Sequence, residues 1–166
     1  MDKQLLEKLY DAYYQEIYLY VYALCKNHEW AADLTQETFL KALLSLDQSH
    51  TNMRAWLYTV ARNLYYNEVS KNRRVMYVDE YENETEDRAN IPLENILSKE
   101  RNRLLYHAIE HLPERQREIV MMQYFGGLGQ KEIAKVLHMT PENERVSAHR
   151  AKKQMKNYME GQGYEL

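Results

Sequence analysis

The chain has little cysteine, glycine and proline. Of its 166 residues, one is cysteine, five are glycine and three are proline, and neither glycine nor proline occurs before Pro92. The single Cys25 cannot form an internal disulfide and is expected to be a buried thiol, which fits a reducing cytoplasm. Segments of alternating apolar and polar residues, the mark of half-buried strands, are also missing. The sequence therefore predicts an all-α fold.

Membrane, targeting and catalytic signatures are missing too. The longest apolar run near the start, residues 19–25, is too short to span a bilayer, and residues 1–11 lack the basic-then-apolar order of a signal peptide. The sequence contains no cysteine pair, no phosphate-binding glycine loop and no Gly-x-Ser-x-Gly elbow. We expect a cytoplasmic protein that is not an enzyme, with no catalytic residues, no cofactor and no membrane contact of its own.

The net charge of −3 conceals an alternating pattern. Residues 1–53 and 79–100 are acidic, whereas residues 54–74 and 131–160 carry an excess of lysine and arginine. Two basic segments separated by an acidic one indicate either two surfaces that face a polyanion or simply solvated helix faces.

Apolar residues recur at helical spacing along the first 74 residues. They predict helices over residues 4–25, where tyrosines should fill a bundle core, over 28–46 and over 52–74. In the second helix one polar side is formed by Asp33, Gln36, Glu37 and Lys41, with Leu34, Thr38 and Leu44 elsewhere. In the third, a stripe of Met53, Leu57, Val60 and Leu64 lies opposite a side with Arg54, Tyr58, Arg62, Tyr65 and Arg73.

The remainder predicts an acidic linker and a second helical domain. Residues 79–92 are dense in acid and lack an apolar period, which is typical of a flexible segment. We place the domains at residues 1–78 and 95–166, with the linker at 79–94. In the second domain Pro113 suits the start of one helix, Gly126 and Gly127 end it, Gly129 caps the next, and Thr140 with Pro141 begins the last.

Residues 132–153 have the pattern of a helix-turn-helix. Ala134 is small enough to let two helices cross closely, and residues at the start of the second helix would meet base edges in a major groove. These are Glu142, Asn143 and Arg145, of which asparagine pairs with adenine and arginine with guanine. Lys152, Lys153 and Lys156 suit phosphates.

A basic and aromatic mixture covers residues 54–74. Arginines can follow a phosphate backbone while aromatic rings stack on unpaired bases, a combination that suits melted DNA. The aromatic members are Trp56, Tyr58, Tyr65 and Tyr66. A place in the core is the alternative for some of the tyrosines and an equal alternative for Trp56.

These segments, in this order, resemble the extracytoplasmic-function sigma factors of bacterial RNA polymerase. Residues 33–43 are similar to the polymerase-binding region 2.2, residues 54–74 to regions 2.3 and 2.4, and residues 112–156 to region 4. The resemblance covers nearly the whole chain. It implies a factor that directs core polymerase to promoters, with region 2 opening and reading the −10 element and region 4 reading the −35 element.

The resemblance also implies roles by position. The clamp helices of the polymerase's largest subunit would be bound by Asp33, Gln36, Glu37 and Lys41. The −10 surface, with Trp56 added from its aromatic character, would comprise Arg54, Trp56, Arg62, Asn63, Tyr66, Asn67 and Arg73. The −35 surface, with Lys153 as a phosphate contact, would comprise Glu142, Asn143, Arg145, His149, Arg150 and Lys153. No residue is assigned to a metal.

Partners implied by the resemblance are core RNA polymerase, promoter DNA and an anti-sigma factor that holds the protein inactive. Polymerase would supply much of the phosphate attraction, so an acidic chain need not bind DNA tightly by itself. The acidic linker would run toward the RNA exit path.

One position departs from the family pattern. Glu144 stands where an apolar residue, most often valine, is usual, and with Ala148, Ala151 and Met155 it would lie on the inner side of the last helix. Burying an unpaired carboxylate costs roughly several kcal/mol. We therefore expect Glu144→Val to stabilise region 4.

Three other functions stay open from the residues alone. A dimeric regulator could use the helix-turn-helix on duplex DNA, and a helical adaptor could use it as a scaffold. The third is a zinc enzyme, because residues 107–111 match H-x-x-E-H. That match falls inside an amphipathic helix with no cleft-forming context, so we do not assign it.

Overall fold

The computed structural model describes residues 3–45, 52–71 and 100–163, and every regular element within these ranges is a helix. The helices fall into two compact units, which divide between Leu93 and Glu94. The prediction of an all-α fold is confirmed. The acidic linker at residues 79–94 and the basic residue Arg73 lie outside the described residues.

The N-terminal unit contains three helices that pack against one another. They are α1 (Lys3–Cys25), α2 (His28–Ser45) and α3 (Met53–Lys71). Asparagine side chains cap the N-termini of the second and third helices. The Asn27 amide oxygen accepts a hydrogen bond from the Trp30 backbone N–H at 2.9 Å, and Asn52 accepts one from Ala55 at 3.0 Å.

The core of this unit combines aliphatic and aromatic side chains. Ile17, Val21 and Leu57 are fully buried, and Tyr18, Tyr20 and Tyr22 are at most 6% exposed. The ring of Tyr20 meets that of Tyr58 edge to face, with centroids 5.1 Å apart. The prediction that the tyrosines of the first helix fill a bundle core is confirmed for these three.

The C-terminal unit contains α4 (Glu100–Glu110), α5 (Glu114–Val120), α6 (Gln130–Val136) and α7 (Pro141–Gly161). A single π-helical turn, Met121–Phe125, extends α5. The longest helix of this unit, α7, packs against α4, α5 and α6. The buried residues of this unit include Tyr106, Ile109, Ile119, Met121, Met122 and Ile133.

Helix ends in this unit follow the turn residues. Gly126 ends the π-helical turn, and Gly127 adopts φ 65°, which only glycine enters without cost. Gly129 precedes α6 in an extended conformation, and the Thr140 hydroxyl accepts a hydrogen bond from the Asn143 N–H at 3.1 Å, with Pro141 at the first helical position. These caps match the sequence predictions.

Within residues 3–45, 52–71 and 100–163, no helix is long and apolar enough to cross a bilayer.

Candidate nucleic-acid interface

The exposed face of α2 carries the four residues expected to bind polymerase. Asp33, Gln36, Glu37 and Lys41 are all exposed, because the opposite face packs inward through Leu34, Thr38 and Ala42. The buried threonines Thr35 and Thr38 satisfy their hydroxyls on backbone carbonyls four residues earlier, at 2.6 and 2.8 Å. A polar side chain can thus face inward without an unpaired donor.

Two leucines on the same exposed face were missed by the sequence reading. Leu40 is 54% exposed and Leu44 is 76% exposed. They follow Gln36 at intervals of four, so they lie among the four polar residues. The placement of Leu44 away from that side was wrong. Spacing alone could have placed both leucines there, but it could not show that nothing in the described structure covers them.

Arg54, in the first turn of α3, is held by α1. Its Nε donates to the Glu16 carboxylate at 3.0 Å, and its guanidinium carbon lies 5.0 Å from the centre of the Tyr13 ring. The side chain is still 39% exposed. Arg54 therefore joins two helices and presents part of its charge to solvent.

Glu16 is a largely buried acid, and opposing effects act on its pKa. Burial of the carboxyl raises its pKa to about 7, even though the charge of Arg54 and its hydrogen bond act in the opposite direction. Its side chain is 13% exposed. The buried carboxyl binds its proton more tightly than an exposed glutamate would.

Further along α3, a cation–aromatic pair stands at the surface. The Arg62 guanidinium lies over the Tyr66 ring, 4.6 Å from its centre. Asn63 and Asn67, one position beyond each, are exposed. These four residues form an interleaved polar and aromatic strip, which we call the α3 strip.

Two of the tyrosines expected on that side lie inside the unit. Tyr58 is fully buried and Tyr65 is 7% exposed, with the Tyr65 hydroxyl donating to the Leu24 carbonyl at 3.2 Å. The Trp30 ring packs on Tyr65, with centroids 5.6 Å apart. The expectation that Tyr58 and Tyr65 lie on the exposed side of α3 was wrong, because the buried stripe of α3 runs through both of them together with Leu57 and Ala61. Trp56 is half-buried.

The second helix of the helix-turn-helix, α7, buries one stripe. The buried stripe consists of Glu144, Ala148, Ala151, Met155 and Met159. Glu144 is 3% exposed, and its burial raises its pKa while the nearby charge of Lys152 acts in the opposite direction. The inward position expected for Glu144 is confirmed.

The six residues expected at the −35 element lie on the outer side of α7. All of Glu142, Asn143, Arg145, His149, Arg150 and Lys153 are exposed. A seventh residue, Val146, is 42% exposed among them and was not predicted. The chemical pattern could not single it out, because a valine beside Ser147 and Ala148 equally suits a packed position.

Contacts from other helices hold the turn before α7. Arg115 of α5 donates to the Leu137 carbonyl at 3.1 Å, and the Gln130 side chain of α6 donates to the Pro141 carbonyl at 2.9 Å. The Met139 N–H donates to the Ala134 carbonyl at 2.9 Å. The sequence reading missed Arg115 and Gln130, which fix the direction in which α7 leaves the turn.

A groove of about 290 Å³ runs along one flank of α7. Its polar lining includes Gln123, Gln130, Glu144, Arg145 and Lys152. The carboxylate of Glu144 therefore lies beside a basic edge rather than in a wholly apolar core. This setting softens the cost of its burial.

The H-x-x-E-H segment is engaged in local contacts. His111 packs on the Tyr158 ring with centroids 4.4 Å apart, and its Nδ1 lies 2.7 Å from the His107 carbonyl. His107 lies 3.9 Å from Glu110. Across residues 3–45, 52–71 and 100–163, no three histidine, cysteine or acidic side chains come together as metal ligands would.

Comparison with known families gives two matches. A model described as Sigma-70 region 2 matches residues 9–75, and one described as Sigma-70, region 4 matches residues 102–155. The first therefore spans α1 to α3 and includes the α2 face and the α3 strip. The second spans the helix-turn-helix.

Several curated relatives are similar along most of their length. RNA polymerase sigma factor YlaC of Bacillus subtilis is 28% identical over 158 residues, covering 93% of this chain and 91% of the relative. ECF RNA polymerase sigma factor SigM of the same organism is 25% identical over 158 residues, covering 91% and 93%.

Solved structures share the fold. The sigma factor RpoE from Bartonella quintana, co-crystallised with the anti-sigma factor NepR, aligns with a TM-score of 0.67 at 19% identity, covering 93% of this chain and 96% of that one. CnrH, solved with the cytosolic domain of CnrY, aligns with a TM-score of 0.65 at 16% identity, covering 96% and 90%.

Proposed function

Because this chain belongs to the extracytoplasmic-function group of the sigma-70 family, we propose that its two units divide promoter recognition between them. Members of this family are transcription initiation factors that direct core RNA polymerase to specific promoters. We assign region 2 to residues 1–78, the linker to 79–94 and region 4 to 95–166.

One observation carries this proposal. In each unit a long helix buries one stripe and turns a polar or basic face to solvent, and each helix falls within the family model for its region. Neither face is needed for the packing of its own unit. Polar and basic surfaces of this kind suit partners better than they suit a core.

Region 2 would bind both polymerase and melted DNA. We assign polymerase binding to Asp33, Gln36, Glu37 and Lys41 on α2. The α3 strip would receive the unpaired −10 strand, with the Tyr66 ring as a stacking surface and Arg62 held over it as a partner for phosphate. Arg54, Trp56 and Arg73 complete our assignment for the −10 element.

Region 4 would place α7 in the major groove of the −35 element. Its N-terminal residues Glu142, Asn143 and Arg145 would meet base edges, as in other helix-turn-helix proteins. His149, Arg150 and Lys153, one and two turns later, would follow the phosphates. Arg115 and Gln130 support this role because their bonds fix the turn on which the direction of α7 depends.

The same surfaces suit control by a protein partner. Two of the structural relatives were solved in complex with a second protein, which for RpoE is the anti-sigma factor NepR. We propose that an anti-sigma factor sequesters this chain and that the chain works in the cytoplasm without catalysing a reaction. Such a factor should compete with core polymerase for the chain, and charge reversal on α2 should weaken both complexes.

Run-off transcription tests the function. Purified chain is mixed with core polymerase and a library of promoter fragments, and the transcripts are sequenced. We expect initiation at a subset sharing two elements at a fixed spacing, and none with core polymerase alone. Tight, sequence-specific binding to duplex DNA without polymerase would instead favour a stand-alone regulator, and peptidase activity with retained zinc would favour an enzyme.

A further inference from the structure

Val146 stands out on the outer side of α7. It is 42% exposed, whereas the two methionines of this helix, Met155 and Met159, are at most 5% exposed. The exposed part of this side chain is apolar surface in contact with water, and burying it would be favourable.

The helical register places Val146 at the centre of the outward face. Successive residues of an α-helix are about 100° apart, so Val146 lies almost opposite the midpoint of the buried stripe. At that spacing His149 and Arg150 lie about equally far to either side of it, and Lys153 lies above it. Arg145 lies about 100° from Val146, at the edge of the outward face. Arg145 and His149 both line the protein's own groove on the flank of α7.

This position has a specific consequence in a major groove. When a helix enters the groove with basic residues on both sides of its outward face, the residue at the centre of that face comes nearest to the base edges. The only apolar group that a base edge offers there is the 5-methyl group of thymine. Polar edges would leave the valine methyls uncompensated.

We propose that Val146 reads the 5-methyl group of a thymine in the −35 element and is a specificity-determining residue of this chain. The inference rests on the proposed function, because it requires α7 to lie in the groove of that element. It assigns the recognised chemistry to one group, a methyl, which can be removed from DNA without altering base pairing.

The test uses the holoenzyme and a promoter obtained from the library selection. Each thymine of its −35 duplex is replaced in turn by deoxyuridine, which lacks only the methyl group, and the dissociation constant of the holoenzyme is measured. We expect one position at which the replacement weakens binding about threefold to fivefold, the effect of one lost apolar contact.

Variants of Val146 test whether this side chain is what contacts the methyl group at the sensitive thymine. Val146→Ser should remove the dependence on the methyl group at that position and relax base preference there in a repeated library selection. Val146→Ile, which keeps the apolar contact, should retain both. Tyr124→Ala removes an exposed apolar side chain elsewhere in the unit and should leave the deoxyuridine profile unchanged.

Three results would overturn the inference. The first is a profile in which no methyl removal weakens binding, and the second is a methyl dependence that Val146→Ser leaves intact. The third is a wild-type holoenzyme that selects no promoter, which would overturn the proposed function as well. In the first two cases the function stands and only the role of Val146 is lost.

Discussion

At the scale of single residues, Glu144 shows how a departure from a family pattern can be tolerated. Its side chain is 3% exposed on the inner stripe of α7, which costs free energy, yet it lies in the first turn of the helix and beside the charge of Lys152. Interaction with a helix N-terminus stabilises a carboxylate by about 1 kcal/mol at most. Burial is the larger effect, because the pKa of Glu144 is raised rather than lowered.

We expect Glu144→Val to stabilise the C-terminal unit by about 1 kcal/mol or more, since it replaces a buried carboxylate by an apolar group of smaller volume. Thermal unfolding of the full chain, followed by circular dichroism, measures the change. The matched control is Glu142→Val, in the same turn but exposed, which loses only its interaction with the helix terminus. A gain no larger in Glu144→Val than in Glu142→Val would contradict the argument.

Glu16 predicts a pH dependence of stability. Its pKa of about 7 in the folded protein exceeds the ordinary value of 4.5, so the folded state keeps a proton that the unfolded state releases between those values. Its contribution to stability is fully present below about pH 4.5 and is lost as the pH rises through 7. Allowing for solvent screening, the loss is about 1 to 2 kcal/mol.

Glu16→Gln, which cannot ionise, should remove this part of the profile. Denaturant unfolding of both proteins at pH 5 and pH 8 gives the comparison. We expect the wild type to lose more stability than the variant between the two pH values. Equal losses would show that the Glu16 carboxyl does not titrate in this range.

For single residues, the sequence predicted which way a side chain faces better than it predicted which distant residues that side chain contacts. The inward position of Glu144 followed from the family pattern together with helical spacing, and the Thr140 cap followed from residue type. The contact of Arg54 with Glu16 did not, because the partners are 38 residues apart and only the packing of α1 on α3 brings them together. The same holds for the bond from Arg115 to the Leu137 carbonyl.

At the scale of helices, α2 and α3 differ in how well apolar spacing predicted the buried side. α2 packs through one side and leaves a continuous polar face that includes Leu40 and Leu44. α3 buries Leu57, Tyr58 and Tyr65 with Ala61, whereas the other three residues of its predicted stripe are half-buried. Spacing therefore predicted a buried stripe on α3 but not its direction, which depends on how α3 packs against α1 and α2.

The exposed leucines give the α2 face a test at helix level. Leu44→Ala should weaken binding to core polymerase about tenfold, because an apolar side chain buried on docking contributes about 1 to 2 kcal/mol. Competition for core polymerase against the wild-type chain measures it. Folding should be unchanged, since Leu44 is 76% exposed.

The matched control for that substitution is Tyr124→Ala, an exposed apolar side chain in the other unit. It should leave the affinity for core polymerase within about twofold of the wild type, an effect of under 1 kcal/mol. If both variants weakened binding equally, the effect would not belong to α2.

At the scale of the whole molecule, the charge pattern places base recognition on local basic surfaces while the overall charge does not favour tight binding to DNA. The chain carries a net charge of −3, yet the exposed side of α7 and residues 54–74 are basic. Non-specific attraction to DNA follows the overall electrostatic field, whereas base recognition depends on local groups. A scaffold that holds both units near DNA would supply the missing affinity through high effective concentration.

We therefore expect the chain alone to bind its selected promoter at least a hundredfold more weakly than the holoenzyme does, since joining two sites on one scaffold gains about that factor or more. Electrophoretic mobility shifts at one fixed salt concentration, with core polymerase alone as the control, give the ratio. Similar affinities for the free chain and the holoenzyme would contradict the idea that polymerase supplies most of the affinity for DNA.

The positions of the tryptophans determine which unit can be followed by intrinsic fluorescence. The chain has two, Trp30 on α2 and Trp56 on α3, and the C-terminal unit has none. Trp30 packs on Tyr65, so unfolding of the N-terminal unit must change its surroundings. The tryptophan emission of this chain therefore comes entirely from region 2. A change confined to region 4 has to be followed through its tyrosines, such as the exposed Tyr124.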